Sequence, residues 1–281
     1  MDIAHLPDYF LSGPKGDLHL YDYTATGECT HQKVKLGLNT FSFLLEGTKE
    51  VNIGQSLVSI ENTHFIGMTT GHCLMTERHA QGKANYRSLL LFFSNEKVLE
   101  LCRKHDIKPD GLAPKPAALV FAKDPFLYEF VNGLLALSSL SEKVKQQLLA
   151  LKFEELMLYL VNQHGPSALL TFAVDLRDHE QHLLQVVENN KLNRLTLTQL
   201  AFLCNMSLST FKREFEKQFG SSPSKWFQEQ RLAHAAFLLR SKSSRPSDLY
   251  ESAGYENLSN FTNAFKARFG KTPRQYQELS F

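Results

Sequence analysis

The pattern F-x3-F-x3-F-G-x2-P occurs twice in the last third of this chain, first as Phe211, Phe215, Phe219, Gly220 and Pro223 and again as Phe261, Phe265, Phe269, Gly270 and Pro273. Each copy carries an aromatic residue three positions after its proline, Trp226 and Tyr276. Three phenylalanines spaced by four fall within about 80° of one another on an α-helix, so each copy must turn one apolar stripe toward a core. The glycine reads as a left-handed C-cap and the proline as the first residue of the next helix. Upstream, Leu200 to Met206 parallels Leu249 to Tyr255, with Asn205 and Gly254 at the same position of a tight turn. Both residue types tolerate a positive φ.

A short helix, a tight turn and a second helix with one buried face make a helix-turn-helix. The predicted helices are 179–190, 197–203, 207–219, 223–240, 247–253, 257–269 and 273–279, with Ser207 and Ser247 as N-caps. The long helix 223–240 separates the two units, and its Leu232, Ala235, Ala236, Leu238 and Leu239 are expected to bury against both.

Charge divides along the same boundary. The net charge is only +2 over 281 residues, but residues 179–281 hold 14 Lys and Arg against 9 Asp and Glu, leaving 17 against 20 for residues 1–178. A basic last third points to a polyanion partner, joined to a first part with another task. Opposite the phenylalanines, the first repeat exposes Ser209, Thr210, Arg213 and Lys217, with Lys212 at the flank. The second exposes Ser259, Asn260, Asn263 and Lys266, with Thr262 at the flank. Residues in the N-terminal half of such a helix reach base edges. Arg213 has the chemistry for a bidentate contact to guanine, and Asn260 or Asn263 for adenine. These ten residues are the candidate contacts to double-stranded DNA, weighed against the plain reading of a solvated helix face.

Residues 17–94 differ in texture, with short aromatic and β-branched runs such as TFSFLLEG, HFIGM and YRSLLLFFS separated by turn residues. They predict a small antiparallel barrel or sandwich, with hairpin turns at Glu46-Gly47-Thr48 and Gly54-Gln55. A helical stretch follows Asn95, then a Pro- and Gly-containing stretch from Pro109 to Pro116 and two helices at about 125–138 and 141–163. Leu148, Leu151, Leu156 and Leu160 on the second are candidates for self-association, against the plain reading of a helix covering the sheet. Phe41, Phe43, Leu45, Phe65, Leu91 and Phe93 are candidates for a ligand pocket, against the plain reading of core.

On the segments LTQLAFLCNMSLSTFKREFEKQFGSSPSKWFQEQRLAHAAFLL and AGYENLSNFTNAFKARFGKTPRQY, residues 180–279 resemble the AraC/XylS family of bacterial transcription regulators. Tyr250 stands where that family has a small residue, and Asn205 where it has Gly. The resemblance implies a transcription factor, an activator, whose paired helices enter successive major grooves and which engages RNA polymerase. It also implies a cupin-like N-terminal barrel with dimerising helices, and LKFEELMLYL at 151–160 looks more like the ExsA-type branch than the sugar-binding one. The fold class expected is therefore α+β. A cupin-like antiparallel β-barrel with following helices (1–165) precedes a linker (166–178) and an all-α domain with two helix-turn-helix units (179–281). A small-molecule or protein effector at the first domain and a homodimer are the further partners expected.

Two rival classes are weighed: a binding module whose basic helices dock on a protein partner and not on DNA, which salt dependence separates from the DNA reading, and an enzyme, because cupin barrels often hold a metal. His19, His31, His64, His72 and His79, with Glu61 and Glu77, include no H-x-H pair on one strand, so neither metal nor cofactor is expected. No G-x-S-x-G, phosphate-binding glycine loop or H-E-x-x-H occurs, and no catalytic residue is assigned. Cys29, Cys73, Cys102 and Cys204 lack ligand spacing, nothing at the N-terminus resembles a signal peptide, and no apolar run reaches the roughly 18 residues a bilayer requires. A cytoplasmic location without a membrane partner is the expectation.

Overall fold

The computed structural model describes residues 3–10, 16–53, 56–80, 85–108, 116–173, 179–241 and 244–278. The chain divides into two compact units, Met1–His182 and Leu183–Phe281.

Among its described residues unit 1 contains ten strands: β1 (Ala4–Leu6), β2 (Leu18–Ala25), β3 (Cys29–Leu36), β4 (Asn39–Glu46), β5 (Thr48–Ile53), β6 (Ser56–Ile60), β7 (His64–Met68), β8 (Gly71–Arg78), β9 (Tyr86–Phe93) and β10 (Ala118–Ala122). They form two five-stranded sheets, in the orders β1-β3-β8-β5-β6 and β10-β7-β4-β9-β2. The result is an open, cupin-like sandwich in place of a closed barrel. Every pairing is antiparallel except that of β1 with β3. The sequence reading missed both β1, which is only three residues long, and β10.

The Glu46-Gly47-Thr48 break is a corner and not a hairpin. β4 pairs with β7 and β9 in one sheet, whereas β5 pairs with β6 and β8 in the other. Gly47 makes this change of sheet at φ +97°, and a Cβ there would lie 2.4 Å from the Arg78 carbonyl oxygen, so only glycine fits. The Gly54-Gln55 turn lies outside the described residues, but its flanking strands do pair, with Ile53 opposite Ser56.

Alternation along the strands builds two cores. Val34, Leu36, Val51, Ile53, Ile66, Met68, Met75, Leu90 and Phe92 point between the sheets. Phe41, Phe43, Phe65, Leu89, Leu91 and Phe93 point to the opposite face of the second sheet. That face is covered by α1 (Asn95–Lys104), α2 (Pro125–Ala136), α3 (Glu142–His164) and α4 (Pro166–Leu170). Leu127, Phe130, Leu134, Phe153, Leu156 and Leu160 supply the helices' side of this core. Burying an aromatic of this size contributes about 2–3 kcal/mol, and the rings gain further from contacts such as the 4.7 Å stack of Phe43 on Phe65. Asn39 fastens the layer together: its side chain donates to Asn95 Oδ1 (2.8 Å) and to the Phe172 carbonyl (2.9 Å), and accepts from the Thr70 amide (3.2 Å).

Part of the predicted 166–178 linker is core. Leu169, Phe172 and Ala173 pack with the helices because the Gly165-Pro166 break starts another helical turn instead of releasing the chain. Residues 174–178, and residues 109–115 of the earlier Pro/Gly stretch, lie outside the described residues.

The described elements of unit 2 are helices: α5 (His179–Asn190), whose first turn precedes the boundary, α6 (Leu197–Leu203), α7 (Leu208–Phe219), α8 (Pro223–Arg240), α9 (Pro246–Ser252), α10 (Leu258–Phe269) and α11 (Pro273–Glu278). These ranges follow the predicted ones to within a residue. Residue 279, the end of the last predicted helix, lies outside the described residues.

Candidate nucleic-acid interface

The repeat in sequence is a repeat in backbone geometry. After α6, Asn205 takes φ +57°, its amide donates to Phe202 O, and the Met206 amide donates to Ala201 O, each at 2.9 Å. After α9, Gly254 takes φ +85°, its amide donates to Glu251 O, and the Tyr255 amide donates to Tyr250 O, again each at 2.9 Å. Both turns therefore swing the chain through the left-handed region with the same pair of bonds and launch α7 and α10. The departures at Asn205 and Tyr250 are absorbed: Asn205 is exposed, and Tyr250 packs against the core of the second unit.

Each launched helix is capped at both ends. Ser207 Oγ accepts from the Thr210 amide at 3.1 Å, and Asn257 Oδ1 accepts from the Asn260 amide at 2.9 Å. Ser207 is the cap predicted. Ser247 is not one, because α9 starts a residue earlier at Pro246 and the Ser247 hydroxyl donates to Asp248 Oδ1 at 3.0 Å. A capping box of Thr196 and Gln199 starts α6, and its signal in the sequence is T-x-x-Q. Gly220 (φ +67°) and Gly270 (φ +74°) close α7 and α10, their amides donating hydrogen bonds to Glu216 O and Lys266 O.

The phenylalanine stripes bury as their spacing requires. Phe211, Phe215, Phe261 and Phe265 are fully enclosed. Phe219 lies 4.3 Å from Phe215 and 4.9 Å from Trp226; in the second copy Phe269 lies 4.6 Å from Phe265 and 5.4 Å from Tyr276. The aromatic after each proline thus closes the cluster that the stripe opens. Leu232, Ala235, Ala236 and Leu239, with Leu238 half-buried, join the core of the second repeat. Toward the first, α8 presents Phe227, 5.8 Å from Phe215.

With one face of α7 and of α10 buried, the opposite face is fixed. Ser209, Lys212, Arg213 and Lys217 are exposed on α7, and Ser259, Asn260, Asn263 and Lys266 on α10. Thr210 and Thr262 are half-buried at the edges of these faces. The Ser209 and Thr210 hydroxyls both hydrogen-bond the capping Ser207 (2.9 and 2.8 Å). The Arg213 guanidinium reaches Glu214 Oε1 at 3.1 Å, and with a side chain 74% exposed that ion pair is worth little and exchanges readily for another anion.

Sequence reasoning missed what holds the second turn to α8. The Arg231 Nε donates to the Ala253 carbonyl at 3.2 Å, and Gln228 Nε2 donates to Tyr255 Oη at 2.8 Å. The only sequence signal for either is their place one turn apart on the intervening helix.

In unit 1 the structure separates the other candidates. Phe41, Phe43, Phe65, Leu91 and Phe93 are core beneath the helices, with Leu45 packed at its edge. These six sit on the covered outer face, and not between the sheets, because alternation carries the neighbouring residues inward. Leu156 and Leu160 are buried against the same sheet, whereas Leu148 and Leu151 are exposed on the far side of α3 beside Val144. Among the described residues no helix is long and apolar enough to cross a membrane.

Two family models match this chain: the ExsA N-terminal regulatory domain over residues 39–172 and a helix-turn-helix domain over residues 200–279. The HTH-type transcriptional regulator ExsA of Pseudomonas aeruginosa is 32% identical over 166 residues, 59% of either chain. The virulence regulon transcriptional activator VirF of Yersinia enterocolitica is 32% identical over 171 residues, 60% of this chain and 62% of its own. The match thus spans about three fifths of the length of these relatives. A structure of ToxT from Vibrio cholerae covers 94% of this chain and 98% of its own at 12% identity, with a TM-score of 0.41. This chain thus matches an ExsA-type N-terminal regulatory domain followed by an AraC-type helix-turn-helix domain.

Proposed function

We propose that this chain regulates transcription by binding double-stranded DNA through residues 179–281, with α7 and α10 entering successive major grooves. The observation that carries this reading is the doubled turn: two helices, launched by the same pair of backbone bonds, each with one aromatic face buried and one polar face exposed. Arg213 and Lys217 supply α7 with charge, and Lys212 lies at its flank. Asn260 and Asn263 give α10 amide pairs that match adenine, and Lys266 its cation. Ser209, Thr210, Ser259 and Thr262 sit where short hydroxyls reach phosphate or base.

Residues 1–165 form the sensory and self-associating domain in this reading. A second copy of the chain meets the exposed Val144, Leu148 and Leu151 stripe of α3, an effector acts on the sandwich, and RNA polymerase is the target of an activator. The chain works in the cytoplasm and not as an enzyme; its matches to regulator families support this.

Selection of a binding duplex from a random pool, followed by affinity measurement over a salt series, tests the DNA reading. Affinity falls steeply with salt, Lys217→Ala reduces the log–log slope by about one unit, and Arg213→Ala relaxes selection at one base pair. An enriched pool that shows neither salt nor sequence dependence removes the reading.

A further inference from the structure

Between the two sheets of unit 1 lies a cavity of about 430 Å³, within the size range of small-molecule sites. Its body is apolar, with Leu36, Met68, Met75 and Leu90 on the walls. Phe10 closes one side, stacked on Tyr21 at 4.1 Å between ring centroids. The other end is polar and deeply buried. Lys49 and Glu77 stand 3.0 Å apart with side chains 2% and 7% exposed, and Lys49 Nζ also donates to Tyr86 Oη at 3.3 Å. Tyr23 and Gln32 border the same end.

Burial works against the Lys49 charge, yet Tyr86 and Glu77 beside it hold its pKa above the ordinary lysine range. Burial likewise pushes the Tyr86 phenol up to about 12, so it stays protonated at neutral pH. The polar end therefore holds one cation and one anion that cancel. A buried ion pair is seldom worth more to stability than an apolar pair of the same shape, so stability alone does not account for one at the end of an apolar cavity. It does have consequences for recognition. A charged ligand entering here leaves one buried charge without compensation, whereas a neutral ligand does not. Glu77 presents a carboxylate to a donor, and the flexible thioethers of Met68 and Met75 adapt to an aromatic ring.

We propose that this cavity binds a small neutral amphipathic molecule, with a flat aromatic body among Leu36, Met68, Met75 and Leu90 and one hydroxyl or amide that donates to Glu77. The site specifies the chemistry of the effector read above for residues 1–165. It does not depend on DNA binding, and its test contains no DNA, so the two readings fail separately.

The test is equilibrium dialysis of the full chain against 2-naphthol, naphthalene and 2-naphthoate at pH 7. 2-Naphthol binds at least about tenfold more tightly than the other two, a difference near 1.4 kcal/mol. In the double variant Lys49→Met/Glu77→Leu its affinity falls to that of naphthalene, while naphthalene binding is unchanged. Val34→Phe, which fills the cavity from β3, abolishes binding of all three without lowering the thermal midpoint. Equal affinity for 2-naphthol and naphthalene overturns the proposal, as does tighter binding of 2-naphthoate or no binding at all. If the double variant does not unfold cooperatively, Val34→Phe decides: 2-naphthol binding that survives in it overturns the site.

Discussion

The Arg231 guanidinium holds the turn of the second helix-turn-helix from behind, its Nε donating to the Ala253 carbonyl 3.2 Å away. Gly254 follows directly, and a Cβ built there would lie 3.2 Å from the same Nε. Burial, with Arg194 nearby, lowers the Arg231 pKa, while Tyr255 acts in the other direction. The helix between the repeats therefore fixes not only their separation but the backbone of the turn that aims α10.

Gly254→Ala meets both a φ of +85° and the Arg231 side chain. It costs unit 2 about 1–2 kcal/mol and lowers its thermal midpoint by several degrees. Asn205 holds the matching position at φ +57° and is exposed, so Asn205→Gly changes stability by only a few tenths of a kcal/mol. Thermal unfolding followed by circular dichroism compares the two.

The four leucines proposed for self-association divide by burial. Leu151→Glu, at a position 62% exposed, leaves unit 1 folded and weakens association in sedimentation velocity by at least about tenfold. Leu156→Glu, at a fully buried position, unfolds the unit instead. A Leu151→Glu chain that associates as well as the parent shows that the α3 stripe is not the interface.

Lys123 makes a contribution to the stability of unit 1 that rises with pH. Its amine donates to the Leu44 and Asn62 carbonyls at 2.6 and 2.9 Å, and burial lowers its pKa from 10.5 to about 8. Between these values the unfolded chain holds a proton that the folded chain has released, so folding is favoured increasingly from pH 8 to 10.5. The gain is about 1 kcal/mol once solvent screening of a half-buried group is allowed for. Denaturant titrations of the parent and Lys123→Met across this window check it: the stability of the parent relative to the variant rises with pH, against the opposing trend that the buried thiols and phenols give to both.

Unit 2 was legible almost residue by residue because its signals are local. Phenylalanine spacing, a glycine cap and a proline start each act within one or two helical turns, and they occur twice. Unit 1 was legible in kind only. Whether Gly47 makes a hairpin or a corner depends on which strands lie beside it, and β-pairing is set by partners far along the chain. The same non-locality left pocket and core undivided in the sequence: alternation assigns Phe41, Phe43 and Phe65 to one face, but only the helices that cover that face show it to be core. The buried Lys49–Glu77 pair joins residues 28 positions apart. A lysine in an alternating strand was its one trace in the sequence.

In the proposed mode of binding, α7 and α10 read two successive major grooves. Hydroxyl-radical footprinting of the complex on the selected duplex tests it most directly. Two protected stretches are expected on one face of the duplex, about one turn, or roughly 34 Å, apart. Asn260→Ala with Asn263→Ala weakens the stretch under α10 and leaves the one under α7 in place. A footprint confined to one groove, unchanged by those substitutions, contradicts it.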